Sequence, residues 1–293
     1  MLLSPAERQY LYDSLSQSPI IRPDSRSEHQ FRPLEATTSF LLGSNGSARI
    51  RLSDGSESII SIKSKVISFD TKTMPPHLIE IDIDIIGYRD DSNYVANLKF
   101  QLCNLLEQNF PIEVLKLTSR YTFKLFIDCI VISHSSYPLS LISFGTYLAL
   151  KTMRLPLLVS DVHDEKVAEL PTFSDDWGNA RLLEDILEEK GVSHDFQPPI
   201  LITVGVIGNN LIFDPSVEEE QVLENGLIVS FSNGKVITPI VNANFSSNNN
   251  LKGLNKALIV RSLSMCNKYC PAIIKALDTL VEQDGDNNEE SIF

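Results

Sequence analysis

The most regular hydrophobic pattern in the chain lies at residues 77–86, where apolar and acidic residues alternate. Isoleucines at every second position predict one buried strand face, and the carboxylates between them predict an exposed face. Residues 47–53 and 59–66 predict a β-hairpin whose turn is Asp54-Gly55. We expect the second hairpin strand to pair antiparallel with residues 77–86, which would set its lysines beside the carboxylates.

Apolar residues at helical spacing predict helices along the rest of the chain. The first helix begins with a capping box from Ser4 to Glu7 and has proline at its first helical position. A strand at residues 120–132 precedes the most apolar helix. The predicted helices span residues 5–15, 95–108, 138–153, 254–269 and 271–281.

The second half of the chain has a distinctive order of elements at residues 201–235. An apolar strand turns at residues 208–210, and a second short strand ends at Asp214-Pro215. Three glutamates follow, and after another strand the chain turns at Asn233-Gly234. These elements and the first half indicate an α+β fold (α/β, two-layer) with two βαβ-type lobes.

The predicted elements divide the chain into five segments. An N-terminal helix precedes the first lobe, followed by an extended, proline-containing strap that we expect to run over the surface. An acidic linker separates the first lobe from the second lobe, and a disordered tail ends the chain. Within the linker, residues 179–190 predict an acidic helix that packs lightly through a thin apolar stripe of Leu182 and Ile186, with Leu183 as a further candidate. The five segments are residues 1–30, 31–160, 161–198, 199–282 and 283–293.

The net charge of −13 argues against wholesale electrostatic binding of nucleic acid. The charge is uneven: residues 1–160 carry 16 basic and 16 acidic residues, whereas residues 161–198 carry 3 basic and 11 acidic ones. No apolar run reaches the roughly 18 residues of a membrane span, and no signal peptide is recognisable. The four cysteines lack C-x-x-C spacing, so we expect reduced thiols in the cytosol or nucleus.

Several short pieces occur in a specific order over residues 5–280. They are residues 22–26 (RPDSR), 31–33 (FRP), the turn at 54–55, and residues 139–156, 169–176 and 214–221. Together they resemble the RNase PH family, and specifically the RNase PH-like ring subunits of the RNA exosome. The chain departs from the family at Ser25, where glycine is usual, and we expect only a flexible turn residue to be lost there.

The resemblance implies an RNase PH fold whose first half is similar to ribosomal protein S5 domain 2. It also implies heterodimers with other RNase PH-like subunits in a six-subunit ring, beneath S1/KH-type cap proteins. Single-stranded RNA would thread through the ring to a separate exoribonuclease, in rRNA maturation and mRNA turnover. We therefore expect a protein of the nucleus, nucleolus and cytoplasm, with no cofactor and no membrane contact.

The resemblance also implies that catalysis is lost. Active members have a glycine-rich, arginine-bearing turn after the long strand, whereas residues 133–138 here lack both features and include Pro138, which donates no hydrogen bond. We expect no catalytic residue, and His134 to be a turn histidine. The active carboxylate pattern survives only as Asp214 and Glu220, with Glu219 beside them; this vestigial cluster predicts weak Mg²⁺ binding at most.

Basic residues of the neutral first half are the remaining candidates for RNA contact, because a phosphate track needs only local positive charge. The candidates are Arg49, Arg51, Lys116, Arg120 and Lys124. Two alternatives to a structural ring subunit stay open: an active phosphate-dependent 3′–5′ exoribonuclease, and a free-standing RNA-binding module. The acidic segment 161–198 is a further candidate for docking a basic partner.

Overall fold

The computed structural model describes residues 3–69, 77–118, 120–159, 171–174, 177–191, 197–243, 245 and 254–290. These residues form a five-stranded and a four-stranded sheet, and a pair of two short strands. Within them, no helix combines the length and apolar character needed to cross a membrane.

The elements follow the predicted order. The helices are α1 (Pro5–Ser16), α2 (Asn93–Asn109), α3 (Leu139–Lys151), α4 (Leu183–Glu189), α5 (Val217–Glu220) and α6 (Lys256–Glu290). The strands are β1 (Leu34–Thr38), β2 (Gly46–Leu52), β3 (Glu57–Ser68), β4 (Ile79–Ile85), β5 (Tyr121–Ser133), β6 (Arg154–Leu155), β7 (Arg181–Leu182), β8 (Ile200–Ile207), β9 (Asn210–Phe213), β10 (Asn225–Ser232) and β11 (Lys235–Ala243).

The five-stranded sheet has the order β1-β2-β3-β5-β4, and it confirms the predicted hairpin as β2 and β3. The expected pairing of β3 with residues 77–86 is wrong. β4 runs parallel to β5, which lies between β3 and β4, because the chain returns from β4 through α2 in a βαβ crossover. Lys63 and Lys65 of β3 are thus one strand away from the β4 carboxylates, and Lys124 of β5 pairs with Glu80 at 2.7 Å.

Helix α3 lies between the two sheets, and every residue from Leu139 to Leu150 is buried. Such all-round burial explains why its sequence is apolar on every face. Its polar side chains hold the second sheet: Ser143 Oγ accepts from Leu201 N at 2.7 Å, and Ser140 Oγ accepts from Thr203 N at 3.1 Å. The turn before α3 is therefore fixed at the junction of the two lobes.

The four-stranded sheet has the order β11-β10-β8-β9, and β8 and β10 are buried throughout. The predicted pair of C-terminal helices is wrong, since α6 is one helix that contains Pro271. A proline removes one backbone hydrogen bond, but residues at helical spacing on both sides of it are buried in the core. These residues are Cys266, Cys270, Ile274 and Leu277.

Helix α6 extends through residues 283–290, which the sequence assigned to a disordered tail. A contact with the first lobe accounts for part of this order: the Asp284 carboxylate accepts hydrogen bonds from the backbone N–H and the hydroxyl of Thr38. Thr38 is the last residue of β1, so this contact joins α6 to the first lobe.

The described part of the acidic linker packs more closely than its composition predicts. Helix α4 is shorter than expected. Of the predicted stripe, Leu183 is buried and Leu182 and Ile186 are only half-buried, whereas Leu187, which was not predicted, is buried. Arg181 and Leu182, which the prediction placed inside the helix, form strand β7 and pair with β6. Residues 160–170, 175–176 and 192–196 of the linker region lie outside the described residues, and with them seven of the eleven acidic residues of the docking candidate.

Candidate functional site: the junction between the lobes

Six ionisable side chains, which we call the junction cluster, meet where the strap crosses from α1 to β1 against the second lobe. Five of them are at most 8% exposed to solvent, and the sixth, Glu219, is fully buried. The strap contributes three arginines and the segment after β9 contributes three carboxylates. The members are Arg22, Arg26, Arg32, Asp214, Glu219 and Glu220.

Arg22 forms the deepest ion pair of the cluster. Its Nε and Nη2 atoms donate to the two carboxylate oxygens of Glu219, each at 2.7 Å, and neither side chain is exposed. Its remaining donors reach the backbone carbonyls of Phe213 at 3.1 Å and Asp214 at 3.0 Å. A planar guanidinium suits this fork geometry, so Arg22 fastens the strap to the second lobe.

Arg32 forms the second pair, with Asp214. Its Nε and Nη2 donate to the carboxylate at 2.8 and 2.5 Å, and its backbone N–H donates to the same carboxylate at 2.9 Å. Arg26 Nη1 adds a bond to Asp214 at 3.0 Å. Burial alone would raise the pKa of Asp214, but the hydrogen bonds and charge of Arg32, and then the charge of Arg26, hold that pKa below its ordinary value.

Glu220 is the carboxylate of the cluster without an arginine bonded to it. It accepts a hydrogen bond from Tyr137 N at 2.7 Å and so anchors the turn before α3. Burial, together with the nearby carboxylates of Asp214 and Glu219, raises its pKa to about 8, against the lowering effects of Tyr137 N and Arg32. Glu220 is therefore mostly a neutral acid at pH 7.

Glutamine at position 220 is expected to flatten the pH dependence of stability. The native carboxyl binds a proton more tightly than the unfolded one, so wild-type stability falls as the pH rises from 4.5 to about 8. Glu220→Gln keeps the acceptor for Tyr137 N and has no proton to lose. Urea titrations across that interval test this, with Glu218→Gln on exposed α5 surface as the control. Equal slopes for wild type and Glu220→Gln would contradict it.

The turn at residues 133–138 uses its polar groups within the protein. Ser135 N donates to Ser56 Oγ at 3.1 Å, and Ser136 Oγ accepts from Arg32 Nη2 at 2.7 Å. Tyr137 N is bonded to Glu220, and Pro138 has no N–H. His134 Nδ1 donates to the Ser136 carbonyl at 3.1 Å. Several hydrogen-bond donors of this turn that could bind a phosphate are thus already bonded within the protein.

The carboxylates that the sequence marked as a vestigial metal cluster serve as ion-pair and hydrogen-bond partners. Asp214 and Glu219 each bind guanidinium groups through both oxygens, and Glu220 bonds to a backbone amide. Within the described residues, no group of three His, Cys, Asp or Glu side chains is arranged to hold a metal ion. The weak Mg²⁺ binding considered from the sequence finds no support in this geometry, because Mg²⁺ would have to displace arginines from Asp214 and Glu219 and a backbone amide from Glu220.

Ser25 has a larger effect than the sequence indicated. Its backbone is left-handed, with φ of 62°, a conformation that glycine adopts without steric cost. The departure from the family glycine therefore strains the turn between Arg22 and Arg26 as well as reducing its flexibility. The ion pairs on either side hold the residue in place.

The five predicted RNA-contact residues do not form one site. Arg49 pairs with Glu57 and Lys124 with Glu80, each at 2.7 Å. Arg51 and Arg120 lie near opposite ends of the first sheet, about 40 Å apart along β5. Lys116, next to Arg120, bridges to Thr122 at the start of β5. The candidates therefore divide into an Arg49/Arg51 group, a central Lys124 and a Lys116/Arg120 group.

Sequence reasoning missed the burial of the strap arginines. It described the strap as a surface segment, whereas Arg22, Arg26 and Arg32 lie in the junction between the lobes. Three arginines within eleven residues were a visible signal. Their carboxylate partners are about 180–200 positions away in sequence, so the pairing was not visible.

Comparison with known proteins connects this geometry to a family. Residues 197–245 match the 3′ exoribonuclease family, domain 2. The chain resembles solved structures of an archaeal exosome core, with a TM-score of 0.66 and 16% identity over 93% of this chain and 96% of that one. Rice Rrp46 has a TM-score of 0.58 at 16% identity, covering 89% and 100% of the two chains. These likenesses show the RNase PH fold.

Two curated relatives are closer in sequence. Exosome complex component rrp42 of Schizosaccharomyces pombe is 31% identical over 239 residues, which cover 76% of each chain. Exosome complex component RRP42 of Saccharomyces cerevisiae is 43% identical over 282 residues, which cover 96% of this chain and 100% of the relative. The chain therefore belongs to the exosome complex component RRP42 family.

Proposed function

We propose that the chain is a non-catalytic structural subunit of the exosome core ring. The relatives at 43% and 31% identity are exosome complex components, and the fold is that of chains in an archaeal exosome core. The observation that carries the non-catalytic part is the junction cluster. Its three arginines are bound by Asp214 and Glu219 inside the protein, so they are not free to bind phosphate.

Phosphorolysis transfers the 3′-terminal nucleotide of RNA to inorganic phosphate. The reaction needs a positive pocket for an anionic nucleophile beside an anionic backbone, and groups that stabilise the charge developing between them. Here Arg32 is bound by Asp214 and Asp54, at 2.5 and 2.6 Å, and Arg22 by Glu219. The turn at residues 133–138 supplies no arginine. These features support loss of the phosphate-binding loop.

The proposal extends to the partners of a ring subunit. They are other RNase PH-like subunits in heterodimers of a six-subunit ring, S1/KH-type cap proteins, a separate catalytic exoribonuclease and the threaded single-stranded RNA. Processing of rRNA and turnover of mRNA place the complex in the nucleus, nucleolus and cytoplasm. A fluorescent fusion expressed at native level tests the localisation.

Arg51, Lys116 and Arg120 are the RNA-contact candidates that the geometry favours. None of them forms an ion pair within the described residues, in contrast to Arg49 and Lys124. Phosphate tracking depends on such unpaired positive charge. The other two residues of the predicted set remain candidates, and ultraviolet crosslinking of RNA to the assembled ring tests all five.

Native mass spectrometry of the chain, alone and co-expressed with RNase PH-like chains of the same organism, tests the proposed function. We expect a 1:1 heterodimer or a larger ring with RNA left intact. A chain that stays monomeric with every partner would contradict the ring-subunit proposal. A homo-oligomer that releases nucleoside diphosphates would favour the active exoribonuclease instead.

A further inference from the structure

The dipeptide Asn-Gly occurs three times in the sequence, at residues 45–46, 225–226 and 233–234. Asparagine is most prone to deamidation before glycine, because glycine has no side chain to hinder attack of its backbone nitrogen on the asparagine amide. The three copies share this intrinsic reactivity, so differences between them come from the fold. All three lie within the described residues, in three different environments.

The first copy is held by side-chain hydrogen bonds to two strands, β3 and β6. Asn45 Nδ2 donates to Arg154 O at 3.0 Å, and Asn45 Oδ1 accepts from Ser64 N at 2.8 Å and from Ser64 Oγ at 3.1 Å. Gly46 is buried, and a Cβ at that position would lie 2.4 Å from the carbonyl oxygen of Ala149 in α3. This glycine is thus required for packing, and Asn45 Cγ cannot approach Gly46 N without breaking the three bonds.

The second copy lies inside the four-stranded sheet. Asn225 is the first residue of β10, is 7% exposed and pairs with Val206 of β8. A Cβ at Gly226 would lie 1.9 Å from the ring of Phe245, so this glycine is also required for packing. Attack of Gly226 N on Asn225 requires β10 to leave the sheet, and opening of a core strand costs nearly as much as unfolding the whole protein.

The third copy forms the tip of the β10–β11 hairpin. Asn233 and Gly234 have positive φ angles of 49° and 74°. They connect the paired residues Ser232 and Lys235, as in a two-residue type I′ turn. Both turn residues are exposed, and within the described residues the Asn233 side chain has no hydrogen-bond partner. The tip of a hairpin opens locally at much lower cost than a core strand.

We propose that Asn233 is a site of spontaneous deamidation in the folded protein, and that the fold protects Asn45 and Asn225. Gly234 N attacks Asn233 Cγ, and the new C–N bond closes a succinimide ring. The side-chain nitrogen leaves as ammonia and takes the proton of the attacking amide. Water then opens the ring at either carbonyl, which gives aspartate or isoaspartate. The net reaction consumes water and releases ammonia, and it needs no oxidant, reductant or enzyme.

The relative rates at the three sites follow from how often each site opens. A reaction that requires global unfolding proceeds only in the unfolded fraction, which in typical domains is smaller than the folded fraction by about 10³–10⁸. A hairpin tip opens at the low end of the range of free energies within one protein. Deamidation of Asn233 is therefore expected to be at least tenfold faster than that of Asn45 or Asn225, even with the turn closed most of the time.

The isoaspartate product changes an edge of the second sheet. Isoaspartate places one extra carbon atom in the backbone of a turn that has only two residues, so the pairing of Ser232 with Lys235 is lost. The next residue, Val236, donates its backbone N–H to Asn267 Oδ1 of α6 at 3.3 Å. Because β11 is an edge strand of this sheet, the modification is expected to detach the start of β11 from α6. This inference is independent of the proposed function.

Asn233→Asp separates the effect of the new charge from that of the extra backbone carbon. Aspartate tolerates the left-handed conformation of this turn, so the variant should keep wild-type protection of residues 235–236 against hydrogen exchange. Wild-type protein enriched in isoaspartate should lose at least tenfold of that protection. Equal exchange of these residues in the two proteins would overturn the detachment of β11.

The site itself is tested by incubating the purified full chain at neutral pH and physiological temperature, followed by peptide mass spectrometry at all three sites. An isoaspartyl methyltransferase with a labelled methyl donor measures the isoaspartate formed. The same chain held unfolded in guanidinium chloride is the control. We expect Asn233 to react at least tenfold faster than Asn45 and Asn225 in the folded chain, and this difference to disappear in the unfolded chain. Similar rates at the three sites in the folded chain, or reaction of Asn233 only after unfolding, would overturn the inference.

Discussion

Replacement of Arg22 by methionine is expected to lower the free energy of unfolding by about 3–5 kcal/mol, or the Tm by about 10 °C. The change removes both hydrogen bonds to Glu219, at 2.7 Å each, and leaves that carboxylate buried without its cation. Glu219 also accepts from Ser216 N at 2.8 Å, so it cannot turn away without uncapping α5. Urea-induced unfolding of the purified chain measures the loss.

Arg49→Met is the matched control for this prediction. Arg49 forms an Arg–Glu pair of the same length, 2.7 Å to Glu57, but half of its side chain is exposed. Exposed pairs contribute between zero and about 1 kcal/mol, so we expect a loss of less than about 1 kcal/mol. Adding Glu219→Gln to Arg22→Met should recover part of the stability. Equal losses for Arg22→Met and Arg49→Met would show that the junction cluster does not hold the lobes.

Asp214→Asn is expected to cost about 3–5 kcal/mol near neutral pH. Its carboxylate accepts from two Arg32 donors, from Arg32 N and from Arg26, so one amide oxygen cannot replace both carboxylate oxygens. The amide nitrogen would also place a donor against a guanidinium donor. Asp24→Asn, which removes the partly exposed partner of Arg26, is the control and should cost less than half as much.

The Asp214 prediction includes a pH dependence of known sign. The pKa of the folded carboxyl is below its ordinary value of 3.8, so its stabilising contribution is complete above that value and is lost as the pH falls below it. Wild type and Asp214→Asn should therefore converge in stability on acidification. A difference between the two that stays constant down to about pH 2 would contradict this cause.

The sequence predicted the elements whose signals are local. The Ser4–Glu7 capping box forms as expected, with Ser4 N donating to Glu7 at 2.7 Å. The alternation of residues 77–86 corresponds to β4, with isoleucines buried and carboxylates exposed. Each of these depends on residues within a few positions of one another.

The errors concern interactions between distant segments. Pairing of β3 with β4 was expected from neighbouring sequence, but a strand some 40 residues further along the chain inserts between them. Pro271 suggested a helix boundary, yet burial of residues on both sides of it keeps α6 continuous. The strap was taken for a surface segment because its partners, Asp214 and Glu219, are in the other lobe. Strand pairing, helix continuity and strap burial all depend on tertiary contacts, which local sequence patterns do not reveal.

The candidate site was predictable in its chemistry and not in its arrangement. The absence of arginine from residues 133–138 was visible in the sequence. The pairing of the three strap arginines with Asp214 and Glu219 was not visible there. The protein thus has the RNase PH fold, and its strap arginines join the lobes through buried ion pairs with Asp214 and Glu219.

The most direct test of this account is the release of nucleoside diphosphates from RNA in the presence of radiolabelled phosphate and Mg²⁺. The purified chain and its co-expressed assembly would be measured side by side. The account predicts no labelled nucleoside diphosphate above background from the chain or from an assembly that lacks a separate nuclease. Phosphate-dependent release from the chain, abolished by Glu220→Gln in a folded protein, would contradict it.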